Sequence, residues 1–314
     1  MFTQGSGYKY RRKPLVAAVL SLVMAGLGQI YCGRIIRGLI FALLCTVPFA
    51  VIAGLFIHEA AIKLSLMLIT GFVSVVSLVA IIDSWYLARH TKPDYELKDY
   101  NRWFVYLLLW LISMGGSATY GLYFRDNYMQ AFRVPTASSY PTMAPGDRFL
   151  ANKLAYRNKD PKRGDLVVFA SPQNRRTNYI KRVVAIAGDT VEIKSNDLYV
   201  NGQKLERVKL NDSILSEIKT GVRGEMLKGN VYEETNNGAK YKIFLLESGT
   251  GPNSANFAKV TVPEYHCFVL GDNRNLSEDS RHFGPIPLAT IKGRADYLYW
   301  PAKDWARFGR LNPS

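Results

Sequence analysis

Long apolar segments crowd the first part of the chain, and shorter alternating segments fill the rest. Three apolar segments, 38–57, 64–87 and 103–124, are each long enough to cross a hydrocarbon core, which takes about 20 residues. We therefore predict a membrane protein whose residues 1–124 form an α-helical transmembrane region with these three spans. Residues 125–314 alternate in the manner of β-strands and are predicted to form a mainly-β domain.

Basic residues in the short loops predict how the spans are oriented. They are dense before the first span and between the second and third, at Arg34, Arg37, Arg89, Lys92, Lys98 and Arg102, whereas the loop between the first two spans has one lysine. Since lysine and arginine are enriched in cytoplasmic loops, the third span leads out of the cytoplasm and the mainly-β domain is extracytoplasmic.

A fourth apolar segment, 14–31, is interrupted by Gly26 and Gly28 and follows the basic residues of 9–13. If those basic residues are cytoplasmic, both ends of the segment lie on the same side of the membrane. We therefore predict that it is re-entrant or interfacial. The alternative is four spans with the amino terminus outside, which contradicts the basic residues of 9–13.

One strand of the second half carries a lysine among apolar residues. Residues 178–188 read N-Y-I-K-R-V-V-A-I-A-G, and a period of two places Lys181 on one face with Tyr179, Val183 and Ala185. The lysine either extends from a strand edge to solvent or is a desolvated amine, whose lowered pKa would suit a general base. Residues 206–263 are less regular and are predicted to be a small β insertion.

A proline-bracketed loop at 134–147 contains two adjacent serines. Pro135 and Pro141 fix φ and remove backbone donors, so the loop cannot be the interior of a helix. It is either an ordinary linker or a rigid loop that presents Ser138 or Ser139. A serine held in this way serves nucleophilic catalysis if a base is within hydrogen-bond reach.

Charge and composition narrow the partners. A formal net charge of +15 is typical of proteins that bind nucleic acid or an anionic membrane surface. The apolar segments favour the membrane, so we predict a lipid bilayer as partner and no nucleic acid. Three separated cysteines and four histidines show no zinc or other metal spacing, and we predict no metal and no cofactor.

Four motifs occur in a fixed order after the apolar segments: the serine loop, R-G-D-L-V-V-F, Y-I-K-R-V-V, and G-D-N-R-N-L-S-E-D-S-R at 271–281. In this order, residues 132–310 resemble the type I signal peptidases, the Ser-Lys proteases of bacterial membranes. The resemblance implies a serine endopeptidase of the bacterial plasma membrane, which removes signal peptides from exported preproteins on the extracytoplasmic side. The protein export machinery is a further expected partner.

The resemblance also implies the site residues. Counting from either proline of the serine loop selects Ser138 as the nucleophile, and Lys181 is the general base. Thr136 and the Ser138 backbone N–H are expected to bind the oxyanion, and Ser277 is expected to orient Lys181. An ion-pair scaffold is implied at Asp272, Arg274, Asp279 and Arg281. Shallow apolar substrate pockets are implied at Val134, Met143, Tyr179 and Ile180.

Two positions depart from the family pattern. Ser139 stands where a methionine usually follows the nucleophile, and Ala187 replaces a proline in the turn after the lysine strand. We expect the first departure to widen a pocket wall. Two alternatives stay open: a Ser-His-Asp protease that uses His282 or His266, and a non-catalytic membrane scaffold with a degenerate peptidase domain.

Overall fold

The structure, a computed structural model, describes residues 12–57, 62–92, 98–210, 217–219, 226–247, 256–302 and 304–311. It divides into two compact units, Met1–Phe124 and Arg125–Ser314. Parts of three predicted features lie outside the described residues: the basic residues before 12, the loop between the first two spans, and several stretches of the insertion.

The first unit is helical. Its helices are α1 (Pro14–Val23), α2 (Leu27–Tyr31), α3 (Ile35–Ile57), α4 (Ile62–His90) and α5 (Trp103–Asn127), with a 3-10 turn at Asp99–Asn101. Among the described residues, two helical stretches are long and apolar enough to cross a membrane, Met67–His90 and Trp103–Asn127. Ile35–Thr46 of α3 is a shorter apolar stretch. The three-span arrangement therefore stays a prediction.

The predicted re-entrant segment consists of two short helices, α1 and α2, joined by a tight turn. Gly26 adopts φ +103° there, a left-handed conformation that glycine tolerates best. Beside it, Gly28 leaves no space for a side chain, because a Cβ would overlap the Ala17 carbonyl and the Ser21 hydroxyl and lie 2.7 Å from Ser84 Cβ. Small residues thus let α1, α2 and α4 approach closely.

The second unit is mainly β, which confirms that part of the prediction. Its strands are β1 (Met129–Arg133), β2 (Arg148–Asn152), β3 (Leu166–Ala170), β4 (Asn178–Ile186), β5 (Thr190–Lys194), β6 (Asp197–Val200), β7 (Gln203–Lys204), β8 (Glu206–Leu210), β9 (Glu217–Lys219), β10 (Met226–Asn236), β11 (Ala239–Leu246), β12 (Phe257–Thr261), β13 (His266–Leu270), β14 (Ile286–Pro287), β15 (Ile291–Trp300) and β16 (Gly309–Arg310). A short helix, α6 (Ser280–Phe283), follows β13.

In the described part of this unit, the strands form three antiparallel sheets. The largest has the order β1-β2-β15-β3-β4-β13-β14, with β16 paired to β15. A second contains β12, β5, β6 and β7, and the third contains β8, β10 and β11 with β9 paired to β10. The third sheet is built from the region predicted as the insertion. Its hairpin turns at Asn237-Gly238, both at positive φ.

Strand β4 lies between β3 and β13 in the large sheet, and it is buried from Ile180 to Ala185. Apolar clusters cover it on both sides. One expectation for this strand was wrong: Ala185 packs in the cluster that contains Val184, not in the cluster of Val183. The pairing with β13 is irregular between Phe268 and Val269, opposite this point, and such an irregularity shifts the alternation of side chains.

Candidate active site

The serine loop closes on itself directly after β1. The Val134 amide donates to the Asp147 carbonyl and the Gly146 amide to the Val134 carbonyl, both at 2.8 Å. The fully buried Asp147 carboxylate accepts from the Ala144 amide at 2.7 Å and from Arg307 at 2.8 Å. A buried carboxylate with several donors fixes a loop firmly. One 3-10 turn at Ala137–Ser139 forms the front of the loop.

Lys181 and Ser138 are brought together from positions far apart in sequence. Lys181 Nζ donates to Ser138 Oγ across 2.8 Å, and the Lys181 side chain is only 4% exposed. Thr136, on the exposed side of the loop, donates its hydroxyl to the same Ser138 Oγ at 3.3 Å. The serine hydroxyl therefore has a nitrogen base within proton-transfer distance.

Burial lowers the pKa of the Lys181 amine, so that part of it is neutral at moderate pH. Desolvation disfavours the charged amine and lowers the pKa of Lys181 to about 8, although the carboxylates of Asp279, Asp272 and Glu278 act in the opposite direction. An amine with such a pKa is partly neutral near pH 7 and can accept a proton. The alternative that Lys181 extends from a strand edge to solvent is therefore wrong, because its side chain is buried.

The two serines of the loop have different surroundings. Ser139 is buried and donates its hydroxyl to the Ile180 carbonyl at 3.3 Å, whereas Ser138 is partly exposed and contacts the lysine. The structure thus brings Ser138, not Ser139, to the amine. Ser139 instead ties the serine loop to β4.

The motif loop, residues 271–281, connects β13 to α6 and supplies buried charges near Ser138 and Lys181. Asp272 accepts from Arg182 Nε and Nη2, both at 2.7 Å, and from the Thr142 hydroxyl at 2.5 Å. Arg182 and Asp272 are each about fully buried. This bidentate pair joins β4, the motif loop and the serine loop.

Asp279 organises the other end of the motif loop. Its carboxylate accepts from the Gly271 amide at 2.9 Å and from Arg281 Nε and Nη2 at 2.8 and 2.7 Å. Burial alone would raise the pKa of Asp279, but the hydrogen bonds and charge of Arg281 outweigh it and hold that pKa below its usual range. Arg281 also donates to the Arg274 carbonyl at 2.7 Å, which closes the loop.

Arg274 pairs outside the motif, with Glu234 on β10. Arg274 Nη1 lies 3.0 Å from Glu234 Oε2, Nη2 contacts Oε1, and both side chains are buried. Tyr241 of β11 donates its hydroxyl to Glu234 Oε1 at 2.9 Å. Two of the four expected scaffold residues, Asp279 and Arg281, pair with each other. The other two, Asp272 and Arg274, pair with residues outside the motif loop.

Sequence reasoning missed both of these partners. Arg182 lies next to Lys181 in a strand that is otherwise mostly apolar, and a second charge in such a strand could have indicated a buried partner. Glu234 carries no such signal, because it follows another glutamate and precedes polar residues, as a solvent-exposed position would.

Ser277 and the Ser138 carbonyl both lie close to Gly271. The Ser277 side chain is buried, and a Cβ on Gly271 would overlap it and lie 2.6 Å from the Ser138 carbonyl oxygen. Gly271 therefore lets three segments meet at the site. The expected role of Ser277 in orienting Lys181 stays a prediction.

Three of the four expected pocket residues share one apolar cluster. Val134, Met143 and Ile180 are buried together with Phe149 and Leu166. The fourth, Tyr179, is half-buried, and its ring centroid lies 5.6 Å from Lys181 Nζ. Its hydroxyl donates to Glu278 at 3.2 Å. Their contact with substrate stays a prediction.

The two histidines of the rival triad have other surroundings. His266 Nδ1 contacts the Glu264 carbonyl at 2.7 Å, and His282 is exposed on α6. In the part of the chain that the structure describes, no group of three or more His, Cys, Asp or Glu is placed to hold a metal ion. The base in contact with Ser138 Oγ is Lys181.

Comparison with known proteins shows the family of this chain. The family described as "Signal peptidase, peptidase S26" matches residues 102–300. The chain is 34% identical to signal peptidase I of Bacillus caldolyticus over 197 residues, covering 63% of this chain and 91% of that protein. It is also 34% identical to signal peptidase I of Aquifex aeolicus (strain VF5) over 213 residues, covering 58% and 80% respectively.

A signal peptidase I from Enterococcus faecalis V583 is a similar solved structure, with 32% identity, a TM-score of 0.25, and coverage of 43% of this chain and 97% of that one. The family match spans more than half of the chain and contains the serine loop, the lysine strand and the motif loop. The chain therefore belongs to the signal peptidase family, peptidase S26.

Proposed function

We propose that this protein is a membrane-bound serine endopeptidase that removes signal peptides from exported preproteins, with Ser138 as nucleophile and Lys181 as general base. The observation that carries the residue assignment is the 2.8 Å hydrogen bond between a buried lysine amine and the serine hydroxyl. Family membership supports the reaction class.

In the proposed mechanism, neutral Lys181 takes the Ser138 proton as Oγ attacks the scissile carbonyl carbon. Negative charge then develops on the carbonyl oxygen, and the Ser138 backbone N–H and the Thr136 hydroxyl stabilise it. Protonated Lys181 gives its proton to the leaving amine when the peptide bond breaks. Neutral Lys181 then deprotonates a water molecule that attacks the acyl-enzyme. As the bond between the acyl carbon and Ser138 Oγ breaks, Lys181 returns the proton to Ser138 Oγ and the acid product leaves.

The membrane arrangement is also a proposal: three spans, a cytoplasmic amino terminus, and the catalytic unit on the extracytoplasmic side of a bacterial plasma membrane. Tyr128 alone separates α5 from β1 in sequence, so the catalytic unit is tethered directly to the last apolar helix. Helix α1 has 10 residues and is roughly 15 Å long, about half of a hydrocarbon core, which supports the re-entrant reading of 14–31.

We further propose that the substrate bond follows a small residue. Val134, Met143, Tyr179 and Ile180 would narrow the pocket, and an oversized side chain there faces overpacking of roughly 1–3 kcal/mol. Ser139 is shorter than the usual methionine. We therefore expect cleavage after Ala, Gly or Ser, with modest tolerance of Cys, Thr or Val.

The test is to incubate the purified full chain in detergent with a preprotein library varied at the residue before the cut. Ser138→Ala and Lys181→Ala are expected to lose several orders of magnitude in rate, whereas Ser139→Ala retains most of it. Near-normal cleavage by either dyad variant would contradict the assignment and favour a histidine base or a non-catalytic scaffold. A preference for Arg, Lys or Phe before the cut would reject the pocket proposal.

A further inference from the structure

Asn273 contacts the nucleophile segment through two separate donors. Its backbone amide donates to the Ser138 carbonyl at 3.1 Å, and its side-chain Nδ2 donates to the Ala137 carbonyl at 3.2 Å. The side chain is fully buried. One residue therefore holds the two peptide groups that flank the Ser138 Cα.

The second of these bonds bears on the direction of the Ser138 N–H. The Ala137 carbonyl and the Ser138 N–H belong to one planar peptide group, and in a trans peptide they point in opposite directions. A donor that fixes the Ala137 oxygen therefore also fixes the side from which the Ser138 N–H emerges. The Tyr140 amide donates to the same oxygen at 3.1 Å, and this bond completes the turn.

Asn273 is itself held from behind by the inserted hairpin. The Phe244 amide of β11 donates to the Asp272 carbonyl at 2.8 Å, and the Arg274 amide donates to the Phe244 carbonyl at 3.1 Å. Both sequence neighbours of Asn273 are thus bonded to one residue of β11. The Glu234–Arg274 ion pair adds a side-chain connection to the same hairpin. These contacts fix the backbone of the motif loop on both sides of Asn273.

We propose that Asn273 is a positioning residue that aims the Ser138 N–H at the developing oxyanion. This inference rests on the proposed Ser138 chemistry and adds the group that orients its backbone donor. Asparagine suits the task because it carries an amide donor. An aspartate of the same shape would set a carboxylate against the Ala137 carbonyl and repel it.

Asn275 provides a matched control two residues away. It is the same residue type in the same loop and is also buried, but its Oδ1 accepts from the Leu246 amide of β11 and not from the serine loop. An effect of merely loosening the motif loop should appear in Asn275→Ala as well as in Asn273→Ala.

The experiment compares Asn273→Ala, Asn273→Asp and Asn275→Ala in the full chain, in detergent, with one preprotein substrate. Folded fraction is measured by circular dichroism, and kcat and KM are measured separately. Removal of an oxyanion donor lowers kcat by about 10²–10³, so we expect misdirection of one to lower kcat by roughly 10–100-fold in both Asn273 variants. KM should change less than about threefold, since the donor acts on the transition state. Asn275→Ala should keep kcat within about threefold while losing thermal stability.

A second readout separates the donor from the base. Because Asn273→Ala leaves the Lys181 contact in place, the pH midpoint of kcat/KM should stay where it is in the parent protein. A kcat within threefold of the parent, an equal kcat loss in Asn275→Ala, or a displaced pH midpoint would each overturn the inference. If Ser138→Ala is inactive while Asn273→Ala is fully active, this inference fails and the Ser138 assignment stands. An active Ser138→Ala would remove both.

Discussion

Glu234 on the inserted hairpin forms a buried ion pair with Arg274 of the motif loop. Removing one member of such a pair leaves an uncompensated charge inside the protein. Replacing Glu234 by Ala is therefore expected to lower the free energy of unfolding by about 3–5 kcal/mol. Reduced cleavage activity should accompany the loss, because Arg274 borders Asn273. Thermal unfolding of the full chain in detergent measures the first effect.

Its neighbour Glu233 is the matched control. That side chain is 38% exposed and lies 3.7 Å from the exposed Lys240. An exposed pair contributes about 0–1 kcal/mol, so Glu233→Ala should unfold nearly like the parent protein. Equal stability of the two variants would show that the hairpin is not anchored through Glu234.

Activity is expected to depend on the protonation of Lys181. Below its folded-state pKa of about 8 the amine is charged and cannot accept the Ser138 proton. The value of kcat/KM should therefore rise with pH and level off above about pH 8, since this parameter reports the free enzyme. Rate measurements between pH 5 and 10, corrected for folded fraction, give the midpoint.

Histidine variants complete that measurement. His282→Ala and His266→Ala should leave the midpoint unchanged, whereas Lys181→Arg should be inactive throughout, because a guanidinium stays protonated. A midpoint near pH 6.5 that disappears in either histidine variant would point to a histidine base instead.

A substitution at the exposed residue Glu278 is expected to change the pKa of Lys181. Its exposed carboxylate accepts from Tyr179 at 3.2 Å and from Gln173 at 2.6 Å, and its charge raises the pKa of Lys181. Glu278→Gln should therefore lower that pKa, move the rising limb of the pH profile to lower pH, and increase activity at neutral pH. The shift should shrink at high salt, since exposed charges are screened.

Glu264→Gln removes an exposed carboxylate that is not among the charges raising the Lys181 pKa, and it serves as the control. Its pH profile should match that of the parent protein. A shift of the Glu278→Gln limb to higher pH would refute the electrostatic role of Glu278.

The topology proposal predicts where reporters work. An enzyme that is active only outside the cytoplasm should function when fused after Arg125 and should fail when fused within 89–102, because the basic loop is cytoplasmic. A cytoplasm-only reporter should give the reverse pattern. Access to the 89–102 loop from outside the cell would exclude the three-span arrangement with a cytoplasmic amino terminus.

Several features followed from local sequence alone. Apolar runs indicated helices over 103–124 and 64–87, because a run of that length is a local property of the chain. The turn at Asn237-Gly238 also has a local cause, since few residue types accept positive φ in a tight turn. The pair of Ser138 and Lys181 was implied by the resemblance to the signal peptidases, and the distance between their side chains could not be read from the sequence.

The tertiary structure alone decided which partners the buried charges take. Ser138 and Lys181 are 43 residues apart in sequence, Arg182 and Asp272 are 90 apart, and Glu234 and Arg274 are 40 apart. A residue's charge shows that it needs a partner when buried, but the register of strands and the placement of the inserted hairpin select that partner. Likewise, Asn273 reads as a polar loop residue in sequence. It reaches the Ser138 and Ala137 carbonyls only because the tertiary structure places the motif loop, hydrogen-bonded to β11, next to the serine loop.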